Sequence, residues 1–189
     1  MYAEIAVKNY FERARTALAG LECAGVAEIT AKLAECVAAG GKILICGNGG
    51  SASDASHLAG ELIGRFRKER AALPAIALTT DPAVLTALGN DYGYHSVFRR
   101  QVEGLGNPGD ILIAITTSGT SSNVVSAAEA AALKGMSVIA FTSSASERVS
   151  WADIQWKATC PETSHAQEQM LVVFHALCHG LEAVFEQKN

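Results

Sequence analysis

Lys42-Ile-Leu-Ile-Cys46 and Gly47-Asn-Gly-Gly-Ser51 open the stretch, reaching to Arg67, that decides the fold. The unbroken apolar run predicts a short strand that is buried on both faces of a sheet. The glycines after it allow a sharp turn and a close approach of the backbone to a ligand. Ser51 or Ser53 is expected to cap a helix whose free N–H groups face an anion. Together these features predict a strand–turn–helix unit that binds a phosphorylated ligand.

The helix of this stretch carries His57, Glu61 and Arg65 at intervals of four residues. Residues four apart lie on one face of a helix, so the pattern predicts one reactive face. Two plainer interpretations stay open, because glycine-rich turns often only close a tight connection and an i,i+4 pair is often only a surface pair. The turn matches neither the dinucleotide-binding Gly-x-Gly-x-x-Gly pattern nor a P-loop, which would end in Gly-Lys-Ser/Thr.

Length and composition predict one domain, residues 1–189. Hydrophobic residues make up 49% of the chain, and the mean hydropathy of +0.19 is high for a soluble monomer. We therefore expect apolar surface to be buried between subunits. The net charge of −4 predicts that nucleic acid is not a partner.

Several features predict a cytoplasmic protein without a membrane segment. The five cysteines form no Cys-x-x-Cys pair and are expected to be reduced thiols. The N-terminus, residues 1–8, lacks the basic start and apolar run of a signal peptide. The longest apolar segment, residues 170–185, is interrupted by His175, His179 and Glu182, which favours a buried helix over a membrane span.

Helical and strand-like segments alternate along the chain, which is typical of a parallel sheet with helices on both faces. Right-handed crossovers predict a single doubly wound α/β sheet of five strands in the order 2-1-3-4-5. The predicted strands lie near residues 43–46, 74–78, 111–115, 138–141 and 154–158. Two extra N-terminal helices precede the first strand and are expected to pack either on a partner subunit or on their own sheet.

Local signals predict several element boundaries. Asp81 is expected to cap a helix that starts at Pro82. The polar segment Gly89–Gly93 reads as a turn, and the next helix is expected from about Ser96 to Leu105. The last helix is predicted at about residues 164–186.

In a sheet of this order, ligands bind where the strand order reverses, at the carboxyl ends of strands one and three. Those ends carry residues 47–51 and residues 116–122, and the second loop has six hydroxyl side chains in seven residues. Hydroxyl groups, backbone N–H groups and a helix dipole can bind a phosphate monoester without a lysine. A Ser/Thr helix cap is the plainer interpretation, but it needs fewer hydroxyls. We therefore predict phosphate binding.

The last helix carries a second polar pattern. Gln167 and His175 are eight residues apart and share a face. His179 is four residues beyond His175, which is the commoner spacing for a pair of metal ligands. Spacing alone leaves both pairings open, and it also leaves open that these histidines only pack in the core.

These motifs resemble the sugar isomerase (SIS) domain family over nearly the whole chain and, within it, the phosphoheptose isomerases, also called sedoheptulose 7-phosphate isomerases. The match is specific because several unrelated motifs occur in one order. The matching pieces are Gly47-Asn-Gly-Gly-Ser51, His57-x-x-x-Glu61-Leu-x-Gly-Arg65, Pro74-Ala-Ile-Ala-Leu78, Gly89-Asn-Asp91, Thr117-Ser-Gly-x-Ser121 and Gln167-Glu-x-x-x-x-x-x-His175.

The resemblance implies a complete site. It implies one weakly held zinc ion per subunit on His57, Glu61, Gln167 and His175, and so decides for Gln167 over His179. It implies that Glu61 and His175 are the acid–base pair, either of which can act first as the base. The substrate-binding residues that we predict on this basis are Asn48, Gly49, Gly50, Ser51, Glu61, Arg65, Asn90, Asp91, Thr116, Thr117, Ser118, Ser121 and Gln167.

The sequence departs from the family pattern at three places. Thr116 stands where serine is usual, and Ser164 stands where an acidic residue often lies near the start of the last helix. The segment after Phe141 is short and lacks the glycine-rich loop of the family. The last two departures concern the choice of sugar more than the chemistry.

The resemblance implies an aldose–ketose isomerase that forms D-glycero-D-manno-heptose 7-phosphate from sedoheptulose 7-phosphate through an enediol. This step would supply the synthesis of ADP- or GDP-activated heptose and of lipopolysaccharide. The resemblance also implies a homotetramer whose sites are completed across subunits. Two alternatives are an isomerase of another ketose phosphate and a non-catalytic SIS protein of the replication-initiator-associating type. Those non-catalytic relatives lack the acid and the terminal histidine, so Glu61 and His175 favour an enzyme.

Overall fold

The computed structural model describes residues 2–186, so Met1 and residues 187–189 of the predicted domain lie outside the described residues. Five parallel strands form one sheet in the order β2-β1-β3-β4-β5, which confirms the predicted α/β fold and strand order. The strands are β1 (Ile43–Gly47), β2 (Ala75–Ala77), β3 (Ile111–Ile115), β4 (Ser137–Thr142) and β5 (Ile154–Lys157). The α-helices are α1 (Tyr2–Ala19), α2 (Ala24–Ala38), α3 (Gly50–Ile63), α4 (Pro82–Tyr92), α5 (Arg99–Leu105), α6 (Ser122–Leu133) and α7 (Thr163–Phe185).

The sheet is buried on both faces because its central strands are continuously apolar. Every residue of β1 and β3 is buried. Ile43 and Ile45 of β1 join the core under α2, α3 and α7. Leu44 and Cys46 point the other way, into the core under α5 and α6. This two-sided burial holds the loops after β1 and β3 side by side.

The two N-terminal helices behave differently from each other. Helix α2 covers its own sheet, since Ile29 and Leu33 are fully buried in the core. Helix α1 packs along α7 and buries only Ala17. Its Tyr2 and Phe11 side chains are 87% and 57% exposed. Packing on the sheet is therefore confirmed for α2, whereas α1 keeps an exposed apolar face and its packing on a partner subunit stays a prediction.

Helix α3 differs at both ends from the prediction. Its N-cap is Gly49, with no side-chain cap bond, so the expected cap by Ser51 or Ser53 is wrong. Gly49 has a φ of 57°, which suits a residue without a Cβ. The helix ends at Ile63, because Gly64 leaves helical geometry with ψ at −116°. Arg65 therefore lies beyond the helix, and the prediction that it shares a helix face with His57 and Glu61 is wrong.

The region after β2 is more helical than predicted. Asp81 caps α4 as expected, accepting hydrogen bonds from the backbone N–H groups of Ala83 and Val84 at 2.9 and 3.0 Å. The predicted turn over residues 89–93 is wrong, because α4 continues to Tyr92 and only Gly93, with φ of 83°, turns the chain. A 3-10 turn at residues 94–96 then delays the next helix from the expected Ser96 to Arg99.

Among the helices of residues 2–186, none has the length and apolar character needed to cross a membrane.

Candidate active site

A cleft of about 380 Å³ lies at the carboxyl ends of β1 and β3, where the two predicted ligand loops meet. The N-termini of three helices, α3, α6 and α7, reach this cleft through Gly50, Ser121 and Thr163. Each N-terminus presents free backbone N–H groups and the positive end of a helix dipole. The cleft therefore suits an anion such as a phosphate. Its lining residues are Asn48, Gly50, Ser51, Ile115, Thr116, Thr117, Ser121, Thr163 and Gln167.

The glycine turn after β1 brings α3 and α7 into contact beside the cleft. A Cβ on Gly50 would lie 2.6 Å from Gln167 Nε2, so no other residue fits there without displacing Gln167. Ser51 is 4% exposed, and Gln167 Nε2 donates to its Oγ at 3.5 Å. The turn thus places the start of α7 directly on the start of α3.

Asn48 joins the two ligand loops to each other. Its amide exchanges two hydrogen bonds with the amide of Asn123 on α6, at 2.9 and 2.8 Å. Tyr94 Oη donates to Asn48 Oδ1 at 3.1 Å. Asn123 and Tyr94 are absent from the predicted site. The only signal for Asn123 is an amide in the first turn of the helix that follows the hydroxyl loop.

Several hydroxyl side chains of the loop after β3 lie within hydrogen-bond distance of one another, and Ser118 Oγ also accepts from the backbone N–H of Thr120 at 3.2 Å. Thr116 Oγ1 lies 3.3 Å from Ser118 Oγ and 3.0 Å from Ser121 Oγ. Ser121 is the N-cap residue of α6, yet its side chain makes no cap bond. The capping interpretation therefore does not account for Ser121, and its hydroxyl and backbone face the cleft.

The candidate acid–base residues lie further along the same two helices. His57 Nε2 lies 3.2 Å from Glu61 Oε1 on α3. It also lies 3.3 Å from His175 Nε2 on α7. Helices α3 and α7 run parallel, because Ser51 meets Gln167 near their starts and His57 meets His175 about two turns later. The exposed His179 lies one turn beyond His175.

Several predicted site residues lie apart from the cluster of His57, Glu61 and His175. Gln167 lies at the cleft, two helical turns from His175. Arg65 is exposed and has its Nε 3.7 Å from Glu69 Oε2. Asn90 and Asp91 are exposed on the last turn of α4, bonded to each other at 2.7 Å. None of Arg65, Asn90 and Asp91 is among the residues that line the cleft.

The types of side chain in this cluster suit a zinc ion, but the side chains do not all converge on one metal position. Among residues 2–186, no three His, Cys, Asp or Glu side chains already surround one metal-sized position. Even so, the two separations from His57 Nε2, 3.2 Å to Glu61 and 3.3 Å to His175, approach the edges of about 3.3–3.4 Å in a tetrahedral zinc site with bonds of about 2.0–2.1 Å. Two imidazoles and a carboxylate are also zinc's usual ligands.

Asp54 is a further carboxylate that the predicted site omits. It lies three residues before His57 and seven before Glu61, so it shares their side of α3. Its Oδ2 atom is buried and has no hydrogen-bond partner among the described residues. Burial raises the pKa of Asp54, and the nearby His57 lowers it by less. The helical spacing from His57 is the sequence signal that points to Asp54.

A larger depression of about 880 Å³ lies elsewhere, between α1 and the start of α7. It is lined by residues such as Arg13, Cys160 and His165. It contains neither the hydroxyl loop nor the glycine turn, so the smaller cleft remains the candidate site.

Comparison with known proteins gives concordant matches. The SIS domain family matches residues 8–143. A phosphoheptose isomerase from Dechloromonas aromatica is 46% identical over 183 residues, which are 94% of this chain and 93% of that relative. The solved phosphoheptose isomerase of Francisella tularensis superimposes with a TM-score of 0.89 at 37% identity, covering 97% of this chain and all of the other. That of Neisseria gonorrhoeae gives 0.85 at 36% identity, with the same coverage.

Proposed function

The chain belongs to the SIS domain family and, within it, to the phosphoheptose isomerases, and from this premise we propose that it converts sedoheptulose 7-phosphate to D-glycero-D-manno-heptose 7-phosphate. Its relatives are phosphoheptose isomerases, which makes this chain a phosphosugar isomerase. The product would enter the synthesis of a nucleotide-activated heptose.

The spacing of two chemical features along α3 and α7 carries this proposal. The anion-suited cleft lies at the start of both helices, and the His57–Glu61–His175 cluster lies further along. Gln167 and His175 are eight residues apart, which is about 12 Å along a helix. An open-chain seven-carbon sugar with a terminal phosphate is long enough to place its phosphate in the cleft and its first two carbons near the cluster. A shorter ketose phosphate reaches less far.

The chemistry assigned to this chain is a proton transfer between neighbouring carbons. A base takes the proton from C1 of the ketose, and an enediol forms. An acid then returns a proton to C2, while the proton on the oxygen moves between O1 and O2. Glu61 and His175 are the residues we assign to these transfers, because both lie within 3.3 Å of His57 and on facing helices. The hydroxyl loop holds the phosphate through groups remote from the reacting carbons.

We also propose one zinc ion per subunit, held by His57, Glu61, Gln167 and His175. When bound, zinc would polarise the sugar carbonyl or hold its hydroxyls. The pairwise separations around His57 support three of these ligands. Gln167 would have to turn from Ser51 toward the cluster, and an amide oxygen is an unusual zinc ligand, so affinity would be modest.

A panel of ketose phosphates tests the function. The purified protein is incubated separately with sedoheptulose 7-phosphate, fructose 6-phosphate and ribulose 5-phosphate, and products are followed by NMR. We expect an aldose product from sedoheptulose 7-phosphate and little from the other two. Preferential turnover of a shorter sugar would assign another ketose phosphate. Turnover of none of them would favour the partner-binding alternative.

Removing a hydroxyl from the phosphate loop should weaken substrate binding. We expect Ser118→Ala and Ser121→Ala to raise KM and to leave kcat nearly unchanged, because contacts to the remote phosphate are largely common to ground and transition states. The measurement is steady-state kinetics on sedoheptulose 7-phosphate. Ser53→Ala is the control, because Ser53 is an exposed residue of α3 that lies outside both the cleft lining and the hydroxyl loop. A fall in kcat at constant KM would contradict the assignment of the loop to phosphate.

We propose that the protein assembles as a homotetramer. The support is the open apolar face of α1, where Ile5, Val7 and Phe11 are each more than half exposed. Light scattering at micromolar concentration should give about four times the 19.8 kDa mass of one chain. Phe11→Asp should lower this mass, because a carboxylate would have to be buried in the interface. A monomeric parent protein would reject the proposal.

A further inference from the structure

The segment that follows α3 has no regular secondary structure from Gly64 to Pro74. Side-chain hydrogen bonds nevertheless fix its backbone. Regular strands and helices hold their backbone through repeated hydrogen bonds, and this segment lacks them. The contacts that fix it therefore come mainly from two buried charged side chains, Glu182 of α7 and Arg70 of the segment itself.

Glu182 accepts hydrogen bonds from the backbone N–H groups of the segment. Its side chain is fully buried, and its Oε1 accepts hydrogen bonds from the backbone N–H groups of Phe66, Arg67 and Lys68 at 3.0, 2.8 and 2.9 Å. Burial opposes ionisation of Glu182, but these three bonds, together with the positive charge of Arg70, outweigh it and hold the pKa of Glu182 below its usual range. A single carboxylate oxygen thus fixes three consecutive peptide groups.

Arg70 donates hydrogen bonds to backbone carbonyl oxygens of α3 and of the segment. Its guanidinium donates to the backbone carbonyl oxygens of Glu61 at 2.8 Å, Leu62 at 2.9 Å and Ala71 at 2.9 Å. Two of these carbonyls belong to the last turn of α3, so Arg70 also caps the helix that carries Glu61. The segment is therefore anchored to both helices of the site.

The fixed segment places an aromatic ring against a residue of the site. The Phe66 ring stacks on His175, with ring centroids 5.2 Å apart and an angle of 26° between the planes. His175 also contacts His57, with centroids 5.2 Å apart. The orientation of the His175 ring, and hence the direction of its Nε2, thus depends on where Phe66 lies.

We infer that Glu182 is a positioning residue of the isomerase site, which fixes the backbone of Phe66 so that its ring holds His175 toward His57. The inference rests on the proposed role of His175 in proton transfer. Glu182 does not touch His57, Glu61 or His175 in any described hydrogen bond and acts through Phe66. Small displacements of a proton-transfer group are costly, since a shift of about 1 Å can lower the rate by about 10²-fold.

The test compares Glu182→Gln with Glu186→Gln. Glu186 follows the end of α7, is partly exposed, and pairs with Lys68 Nζ of the same segment at 2.8 Å, so it is a matched control. We expect Glu182→Gln to lower kcat by about 10- to 10²-fold with little change in KM. Glu186→Gln should match the parent. In metal-free protein without substrate, the ring-proton NMR resonances of His175 should move in Glu182→Gln and stay in place in Glu186→Gln.

Two variants of Phe66 keep the inference testable if Glu182→Gln does not fold. Phe66→Leu should lower kcat, whereas Phe66→Tyr, which keeps the ring against His175, should match the parent both in kcat and in the His175 resonances. Unchanged kcat and unchanged His175 resonances in Glu182→Gln, or unchanged kcat in Phe66→Leu, together with a lowered Tm, would show that the role is only structural and would overturn the inference. If the parent isomerises no sugar, the proposed function fails, and the His175 resonances still decide whether Glu182 and Phe66 position that ring.

Discussion

Glu61→Gln is expected to lower kcat on sedoheptulose 7-phosphate by about 10²–10⁴-fold, the usual loss when a general acid or base is removed. The substitution is nearly isosteric, so the shape of the site is kept while the side chain loses its ability to take up a proton. Glu61 Oε1 lies 3.2 Å from His57 Nε2, and the Glu61 side chain is 25% exposed. His175→Asn should show a loss of the same order.

Folding of the Glu61→Gln variant should survive, which makes the loss a chemical one. The buried contact at this position belongs to the backbone, where the Glu61 carbonyl oxygen accepts from Arg70. The side-chain carboxylate takes no part in that bond. Circular dichroism and Tm close to those of the parent would confirm that the fold is intact.

Metal loss is a second route to the same kinetic result, so zinc content must be measured on each variant. Glu69→Gln is the control, because Glu69 is 87% exposed and its only described ion pair is with Arg65. It should keep parental kinetics. Near-parental kcat in Glu61→Gln, on any ketose phosphate that the parent turns over, would remove Glu61 from the mechanism.

Features with a strong local or periodic cause were predictable from the sequence. The apolar runs of β1 and β3 have no alternative to burial on both faces, and chirality then limits the strand order. That order alone brings residues 47–51 and 116–122 to one edge of the sheet. The cap at Asp81 was likewise predictable, because its side chain bonds only two and three residues away.

Features decided by long-range contact were not. The start of α3 packs against Gln167 of a distant helix, which leaves no room for a Cβ on Gly50 unless Gln167 moves. The partnership of Asn48 with Asn123 joins positions 75 residues apart. That α3 and α7 run side by side with His57 facing His175 follows from tertiary packing. No spacing within either helix indicates it, and only the family resemblance implied that the two residues meet.

His57→Ala should weaken zinc binding, with an affinity loss of more than about 100-fold. Loss of a group that merely orients a metal ligand typically costs 10–100-fold, and a direct ligand should cost more. His57 is the most sensitive position, because it is the donor that lies near both Glu61 and His175. The measurement is isothermal titration of metal-free protein with zinc, at a pH where the histidines are neutral.

The control for this experiment is His179→Ala, since spacing along α7 makes His179 the natural rival ligand. His179 is exposed one turn beyond His175, so its removal should leave zinc affinity at the parental value. Gln167→Ala should weaken zinc by less than His57→Ala, because its amide packs on Gly50 and Ser51 and must turn to reach a metal at the cluster. Retained zinc affinity in His57→Ala together with loss of affinity in His179→Ala would assign the metal to His175 and His179 instead. Zinc would then bind further along α7, away from Glu61, the carboxylate assigned to proton transfer.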